Sequence, residues 1–317
     1  MTDTQNEVFK TPVNKIRLFE HGAPGSQNLK LTRKYYTEDM PDGRVKHIVQ
    51  NITDPDIIPY TPDGIGNSTD RQRIPAVLII PGGAFRRLVY NFEGEDVAKW
   101  LNSMGIAAFV LECRLPSDEH DNAEDVPLID TMRAMRVIRG RAQEFGIDEA
   151  KIGVMGFSAG GFMAALLSTA YESDVYADYK YKDEYDKLSA RPDFAVCSYP
   201  VISIDDCIEA GKRYMSEEQV LERISDSKAK ILHKYNPDKL VRPDMPPVFI
   251  CETDDDRTTL SENSVGFYMA ARKAGVSAEL HIFRTGGHGY GCGDDFAQTG
   301  EWKVLFTKWI KSIGIIS

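Results

Sequence analysis

Lys151-Ile152-Gly153-Val154-Met155-Gly156-Phe157-Ser158-Ala159-Gly160-Gly161-Phe162 is the stretch on which the reading of this chain turns. Its first five residues form a short apolar run, the pattern of a strand buried on both faces. From Phe162 to Thr169 the pattern becomes helical. Between strand and helix lies Gly156-Phe157-Ser158-Ala159-Gly160, a G-x-S-x-G sequence. The pentapeptide alone is a weak signal, and a glycine-rich turn without chemistry is the plain alternative. A strand before it and a helix after it make a nucleophile elbow: the serine occupies a strained turn, flanked by glycines because a Cβ there would strike neighbouring backbone. The turn also sets Ser158 at a helix N-terminus, where free N–H groups and the dipole favour developing negative charge.

Outward from this stretch, apolar runs alternate with helical patterns from about Pro75 onward, which predicts a mostly parallel sheet flanked by helices. Ala76 to Ile80 and Gly105 to Leu111 read as further buried strands, as do Phe194 to Tyr199, Val248 to Glu252 and Ala278 to Phe283. Leu128, Met132, Met135, Ile138, Ala142 and Phe145 recur at three- and four-residue steps and predict one apolar helical stripe. Arg133, Arg136 and Arg141 fall mainly off it and read as a solvated face. Trp302, Leu305, Phe306, Trp309 and Ile313 repeat the helical pattern near the C-terminus. Residues 13 to 60 carry short β-like runs and predict antiparallel strands added to one edge of the sheet. A stretch rich in Glu and Lys, about 200–245, predicts a small helical insertion or cap over the sheet's C-terminal edge. Residues 1–317 thus read as a single domain.

Hydrolysis by a serine nucleophile requires an oxyanion site, a base and an acid that orients the base. Pro81-Gly82-Gly83-Ala84 follows the strand at 76–80, and glycines there let backbone N–H groups approach a tetrahedral intermediate. The expected donors are the N–H groups of Ala159 and of Gly83 or Ala84. Of the six histidines, His281 lies in an alternating strand pattern, whereas His288 sits in the loop Gly286-Gly287-His288-Gly289-Tyr290 between the last strand and the last helix. Such a loop can carry an imidazole over the strand ends to meet Ser158, which makes His288 the expected base. The acid should follow the preceding strand, where Thr253-Asp254-Asp255-Asp256-Arg257 offers three aspartates. All three cannot be buried, so most of the run must be solvated or paired. The chain order Ser, Asp, His is that of α/β-hydrolases and differs from the chymotrypsin and subtilisin orders.

Composition narrows the field. A net charge of −10 and a pI near 5.2 argue against a phosphate-binding face, and the short positive clusters at Arg71, Arg73 and Arg86, Arg87 are too sparse to supply one, so no nucleic-acid partner is expected. No apolar run approaches the roughly 18 to 20 residues that span a bilayer, so no membrane partner is expected. Met1 to Lys10 is polar and acidic without an apolar h-region, which predicts a cytoplasmic protein. Five scattered cysteines without a CxxC pair predict buried, reduced thiols and no structural zinc.

These residues together resemble the α/β-hydrolase branch of bacterial carbohydrate esterases, the acetyl-xylan-esterase-like proteins often labelled xylanase-like or feruloyl-esterase-like. The resemblance runs from roughly Ile48 to the C-terminus. It rests on Pro81 to Phe85, Glu93-Gly94-Glu95-Asp96-Val97-Ala98-Lys99-Trp100-Leu101-Asn102, Gly156 to Gly160, Pro246 to Ile250, Glu279 to Phe283 and Gly286 to Gly291. In that family the acid lies seven residues before an Asn-Ser pair, here Asn263-Ser264, and this selects Asp256 over Asp255 and Asp254. The family usually has Val-Pro after the acid where this chain has Thr259-Leu260, and many relatives have a third glycine where Ala84 stands. The resemblance implies an α/β-hydrolase fold and a serine esterase of small carboxylic esters without metal or organic cofactor. Its substrate would be a small-molecule ester, down to an acylated oligosaccharide. A feruloyl-type esterase or a peptidase of the same fold is the alternative, and a non-catalytic binding protein is disfavoured because all three positions are filled.

Overall fold

A computed structural model gives the structure of the chain and describes residues 9, 13–63, 73–216, 218–220, 229–293 and 298–317. Met1 to Lys10, apart from Phe9, and residues 217 and 221–228 of the expected insertion lie outside them. In chain order the strands are β1 (Ile16–Arg17), β2 (Lys34–Asp39), β3 (Val45–Gln50), β4 (Asp56–Tyr60), β5 (Ile74–Ile80), β6 (Leu88–Val89), β7 (Ala107–Glu112), β8 (Ile147–Phe157), β9 (Ala195–Ser198), β10 (Val248–Thr253) and β11 (Ala278–Phe283).

The apolar runs become the centre of an eight-stranded sheet ordered β1-β4-β7-β5-β8-β9-β10-β11. From β7 to β11 each neighbouring pair is parallel, while β4 joins β7 and β1 joins β4 antiparallel. Ala76 to Ile80 and Ala107 to Leu111 are fully buried, as covering both faces of a parallel sheet requires. Because the central strands are parallel, their C-terminal ends lie along one edge, and the loops that leave β5, β8, β10 and β11 gather there.

The N-terminal strands depart from expectation. Only β1 and β4 extend the main sheet, whereas β2 pairs with β3, and β3 with β6, in a separate three-stranded sheet. Alternation in the sequence marks which side chains share a face but not which strand is the partner. Here the partner is β6, two residues in the connection after β5, too short to leave a pattern. That second sheet is therefore tied to the Gly-rich loop: Val89 N donates to Gly82 O at 2.9 Å and Tyr90 N to His47 O at 2.8 Å.

The helices are α1 (Asp96–Ser103), α2 (Val126–Gly140), α3 (Ala142–Phe145), α4 (Ala159–Ala170), α5 (Ile204–Tyr214), α6 (Ala229–Lys234), α7 (Ser261–Lys273) and α8 (Trp302–Ser312). Trp100 of α1 and Trp302 of α8 meet edge to face at 4.9 Å, so these two helices share one layer. No helix among the described residues is long and apolar enough to cross a membrane. The arginines of α2 correct the sequence reading. Arg133 is buried, donates to Leu18 O at 2.9 Å and pairs with Asp186 at 3.1 Å, and Arg136 donates to Leu188 O at 3.0 Å. The segment from 183 to 188 folds back over this helix, so the charged face is packed rather than solvated. Only Arg141, paired with Glu144 at 2.6 Å, behaves as a surface residue.

Candidate active site

Ser158 joins β8 to α4 with φ 54° and ψ −120°, a conformation that L side chains rarely adopt. Backbone bonds hold it there: Ser158 N donates to Ser198 O at 3.0 Å, and Phe162 N donates to Ser158 O at 3.1 Å. The flanking glycines are dictated by space. A Cβ on Gly156 would stand 2.0 Å from Gly160 O, and one on Gly160 would stand 2.0 Å from Ile80 O. The tight approach presses the start of α4 against the ends of β5 and β8 and leaves the serine hydroxyl at the sheet's edge.

His288, in the loop after β11, reaches this hydroxyl. Its Nε2 lies 2.8 Å from Ser158 Oγ, and its Nδ1 lies 2.6 Å from Asp256 Oδ2. A carboxylate at Nδ1 holds the proton on that nitrogen and leaves Nε2 free to accept from the serine. Asp256 follows β10 and is 2% exposed. Burial alone would push its carboxyl pKa up. The hydrogen bond to His288, the charge of that ring and the N–H groups of Thr259 and Thr258 outweigh burial and hold it below the ordinary aspartate value. Thr258 N and Thr259 N donate to Oδ1 at 2.7 and 3.0 Å, and Thr259 Oγ1 donates to Oδ2 at 2.9 Å. Thr259, one of the departures from the resemblance, thus adds a hydroxyl donor to this carboxylate.

The two other aspartates are exposed. Asp255 Oδ1 accepts from Gly287 N at 2.8 Å and so braces the histidine loop from outside. His281 lies away from the serine, 2.7 Å from Glu279 Oε1.

On the far side of Ser158 stands the loop after β5. A Cβ on Gly82 would lie 2.8 Å from Ser158 Cβ, so the loop abuts Ser158. Gly82 N is committed to Glu93 Oε2 at 2.8 Å. Gly83 and Ala84 follow with φ of 138° and 57°. Among the described residues no protein group accepts from the N–H of Gly83, Ala84 or Ala159. Arg87 pairs with Glu38, Tyr90 with Tyr60 and Asn91 with backbone of β3, so these residues build the loop. Beside the loop, Gly82, Phe85, Leu115, Pro116, Ala159 and Met163 close together and leave no space that would admit a water molecule.

Sequence reasoning missed Glu93, Tyr199 and Thr259. Glu93 lies in the run 93–102 that carried part of the resemblance, yet nothing in its pattern marks it as buried. Tyr199 ends a strand run, and a tyrosine there reads as core.

The chain matches the BD-FAE family over residues 65–270. It is 31% identical over 240 residues to an acetylxylan esterase from Xylanibacter ruminicola, covering 75% of this chain and 45% of that protein. The chain spans less than half the length of the curated relatives it matches. Among solved structures, an acetyl ester-xyloside bifunctional hydrolase from Caldicellulosiruptor lactoaceticus superposes with a TM-score of 0.70 at 33% identity, covering 96% of this chain and 97% of that one. A carboxylesterase from Lactobacillus plantarum, 20% identical, shares the fold with a TM-score of 0.68 over 90% of this chain and 99% of its own.

Proposed function

The chain belongs to the BD-FAE family, and from that premise we propose that it hydrolyses small carboxylic esters through Ser158, His288 and Asp256, with acetylated carbohydrate as the substrate class. The observation that carries the reading is the unbroken hydrogen-bonded chain from Ser158 Oγ to His288 at 2.8 Å and from His288 to Asp256 at 2.6 Å, on an α/β-hydrolase sheet. His288 Nε2 takes the proton as Ser158 Oγ attacks the ester carbonyl. Asp256 holds the tautomer and stabilises the imidazolium that forms. The oxyanion meets the open N–H of Ala159 and that of Gly83 or Ala84, where fixed donors need no reorganisation. The protonated His288 then gives its proton to the leaving alcohol oxygen. Water, deprotonated by the same nitrogen, attacks the acyl-enzyme and releases the acid. No step calls for a group beyond these side chains, backbone donors and water.

A small acyl group is supported by the close packing of Phe85, Leu115 and Met163 against Gly82 and Ala159, which leaves no room there for a long acyl chain. The carbohydrate alcohol is supported by the acetyl ester-xyloside hydrolase that matches over nearly the whole of both chains. The reading takes the chain as one domain, with the segment near 200–245, which carries α5 and α6, as its cap. It keeps a cytoplasmic setting, supported by the free, buried thiols of Cys113, Cys197 and Cys251.

The test is kcat/KM across p-nitrophenyl acetate, butyrate and octanoate, beside acetylated xylo-oligosaccharides and methyl ferulate. Acetyl esters are expected fastest, with a steep fall beyond butyryl. A maximum at octanoate would contradict the small acyl pocket, and ferulate in first place would move the substrate to hydroxycinnamoyl esters. Met163→Ala removes flexible wall atoms and is expected to raise the butyrate-to-acetate ratio of kcat/KM about tenfold, since one or two methylenes are worth roughly 1 to 3 kcal/mol in such a pocket.

A further inference from the structure

Glu93 is a buried carboxyl that the reaction as written does not use. It sits 4% exposed in a π-helical turn, Asn91–Glu95, between β6 and α1. A buried carboxyl is unfavourable unless its oxygens are satisfied, and both are. Oε2 accepts from Gly82 N at 2.8 Å, in the loop that abuts Ser158. Oε1 accepts from Tyr199 Oη at 2.9 Å.

Tyr199 carries the connection onward. Its hydroxyl accepts from Gly291 N at 3.0 Å, three residues beyond His288. Its ring stands edge-on to the His288 ring at 5.0 Å, and its carbonyl lies 3.3 Å from Thr259 Oγ1, whose proton goes to Asp256. Its own backbone is held at φ 38°, a conformation retained only where surrounding contacts fix it. Glu93 and Tyr199 therefore join the loops after β5, β9 and β11 and touch the one after β10. These loops hold the expected oxyanion donors, the acid's threonine and the base.

We propose that Glu93, acting through Tyr199, is a positioning residue that sets the distance between the Gly82–Ala84 loop and the His288 loop around Ser158. Its two oxygens face two different donors, so the carboxylate is the form that fits. A glutamine that keeps its oxygen on Gly82 N–H turns its NH₂ toward the tyrosine hydroxyl, whose proton then loses its acceptor and must turn away, reversing the link. The loops then relax relative to each other while the hydrophobic core is untouched. A displacement of about 1 Å at a reacting group costs on the order of 10²-fold in rate.

This inference rests on the ester-hydrolase reading, so the experiment begins from wild-type turnover of p-nitrophenyl acetate that Ser158→Ala abolishes. If wild type shows none, it is the hydrolase reading that fails. Given turnover, Glu93→Gln, Tyr199→Phe and the double variant are compared for kcat, KM and thermal unfolding. The expected result is a 10- to 100-fold loss of kcat in each single variant with KM within about threefold. The double variant should be no more than about threefold below the worse single one, because both substitutions break one linkage. A kcat within twofold of wild type in Glu93→Gln, or a rise in KM matching the fall in kcat, would overturn the proposal. Multiplying losses in the double variant would also overturn it, by showing that the two residues act independently. Active-site titration before each assay removes unfolded protein from the comparison.

Discussion

Replacing Ser158 with alanine is expected to lower kcat for p-nitrophenyl acetate by about 10⁶-fold, the loss typical of removing a triad nucleophile. At about 1.36 kcal/mol per decade this is roughly 8 kcal/mol of transition-state stabilisation. The effect is large because the covalent step disappears, and what remains is binding and whatever the oxyanion donors supply. The fold should persist: the substitution removes a single hydroxyl whose side-chain partner is His288 Nε2, and the backbone bonds at Ser158 N and O are unchanged. Circular dichroism and a melting curve close to wild type, with turnover indistinguishable from buffer, is the expected pair of results. Folded Ser158→Ala that still hydrolyses ester at an appreciable fraction of the wild-type rate would require another nucleophile.

The second large effect belongs to the acid. Asp256→Asn should lose about 10³- to 10⁴-fold in kcat, or roughly 4 to 5 kcal/mol. An amide in place of the carboxylate can present NH₂ to His288 Nδ1 and so stabilise the wrong tautomer. The Thr258 and Thr259 N–H groups, which donate to Asp256 Oδ1 at 2.7 and 3.0 Å, can still reach an amide oxygen, and this helps the variant fold. Asp254→Asn, at an exposed position, should stay within a few-fold of wild type. Asp255→Asn should lose less than Asp256→Asn, because Asp255 touches the histidine loop only through Gly287 N. If Asp255→Asn proved the more damaging change, the acid would be assigned to the wrong residue.

The parts of the fold legible in the sequence are those whose burial leaves a pattern. Ala76 to Ile80 and Lys151 to Met155 read as strands because a parallel strand covered on both faces must be apolar throughout. Ser158 stood out because its turn demands glycine at 156 and 160, where the neighbouring backbone leaves no room for a Cβ. His288 stood out because the glycines around it mark a loop at the right point in the chain. Asp256 did not separate from its neighbours on its own chemistry. Three consecutive aspartates look alike until the backbone turns one of them inward, and only the family resemblance, through its Asn-Ser pair at Asn263-Ser264, distinguishes Asp256.

The rest depends on contacts between distant segments. Leu88 and Val89 give no hint that they pair with Val49 and Ile48, so in sequence the second sheet reads as an edge of the first. Arg133 looks like any surface arginine on a helix until Asp183 and Asp186 fold over it. Glu93 and Tyr199 are single polar side chains buried by loops, and no periodicity marks such positions. The loops that position a site leave the faintest trace in sequence, because each residue answers to one partner rather than to a repeating face.

The central claim is that Ser158 is the nucleophile of a covalent acyl transfer, and mass spectrometry after reaction with a fluorophosphonate tests it most directly. The expected result is one adduct per chain, mapped to the peptide containing Ser158. It should be absent from Ser158→Ala and form far more slowly in His288→Ala, where no base takes the serine proton. An adduct at a different serine, or full esterase turnover in protein that stays unlabelled, would contradict the claim.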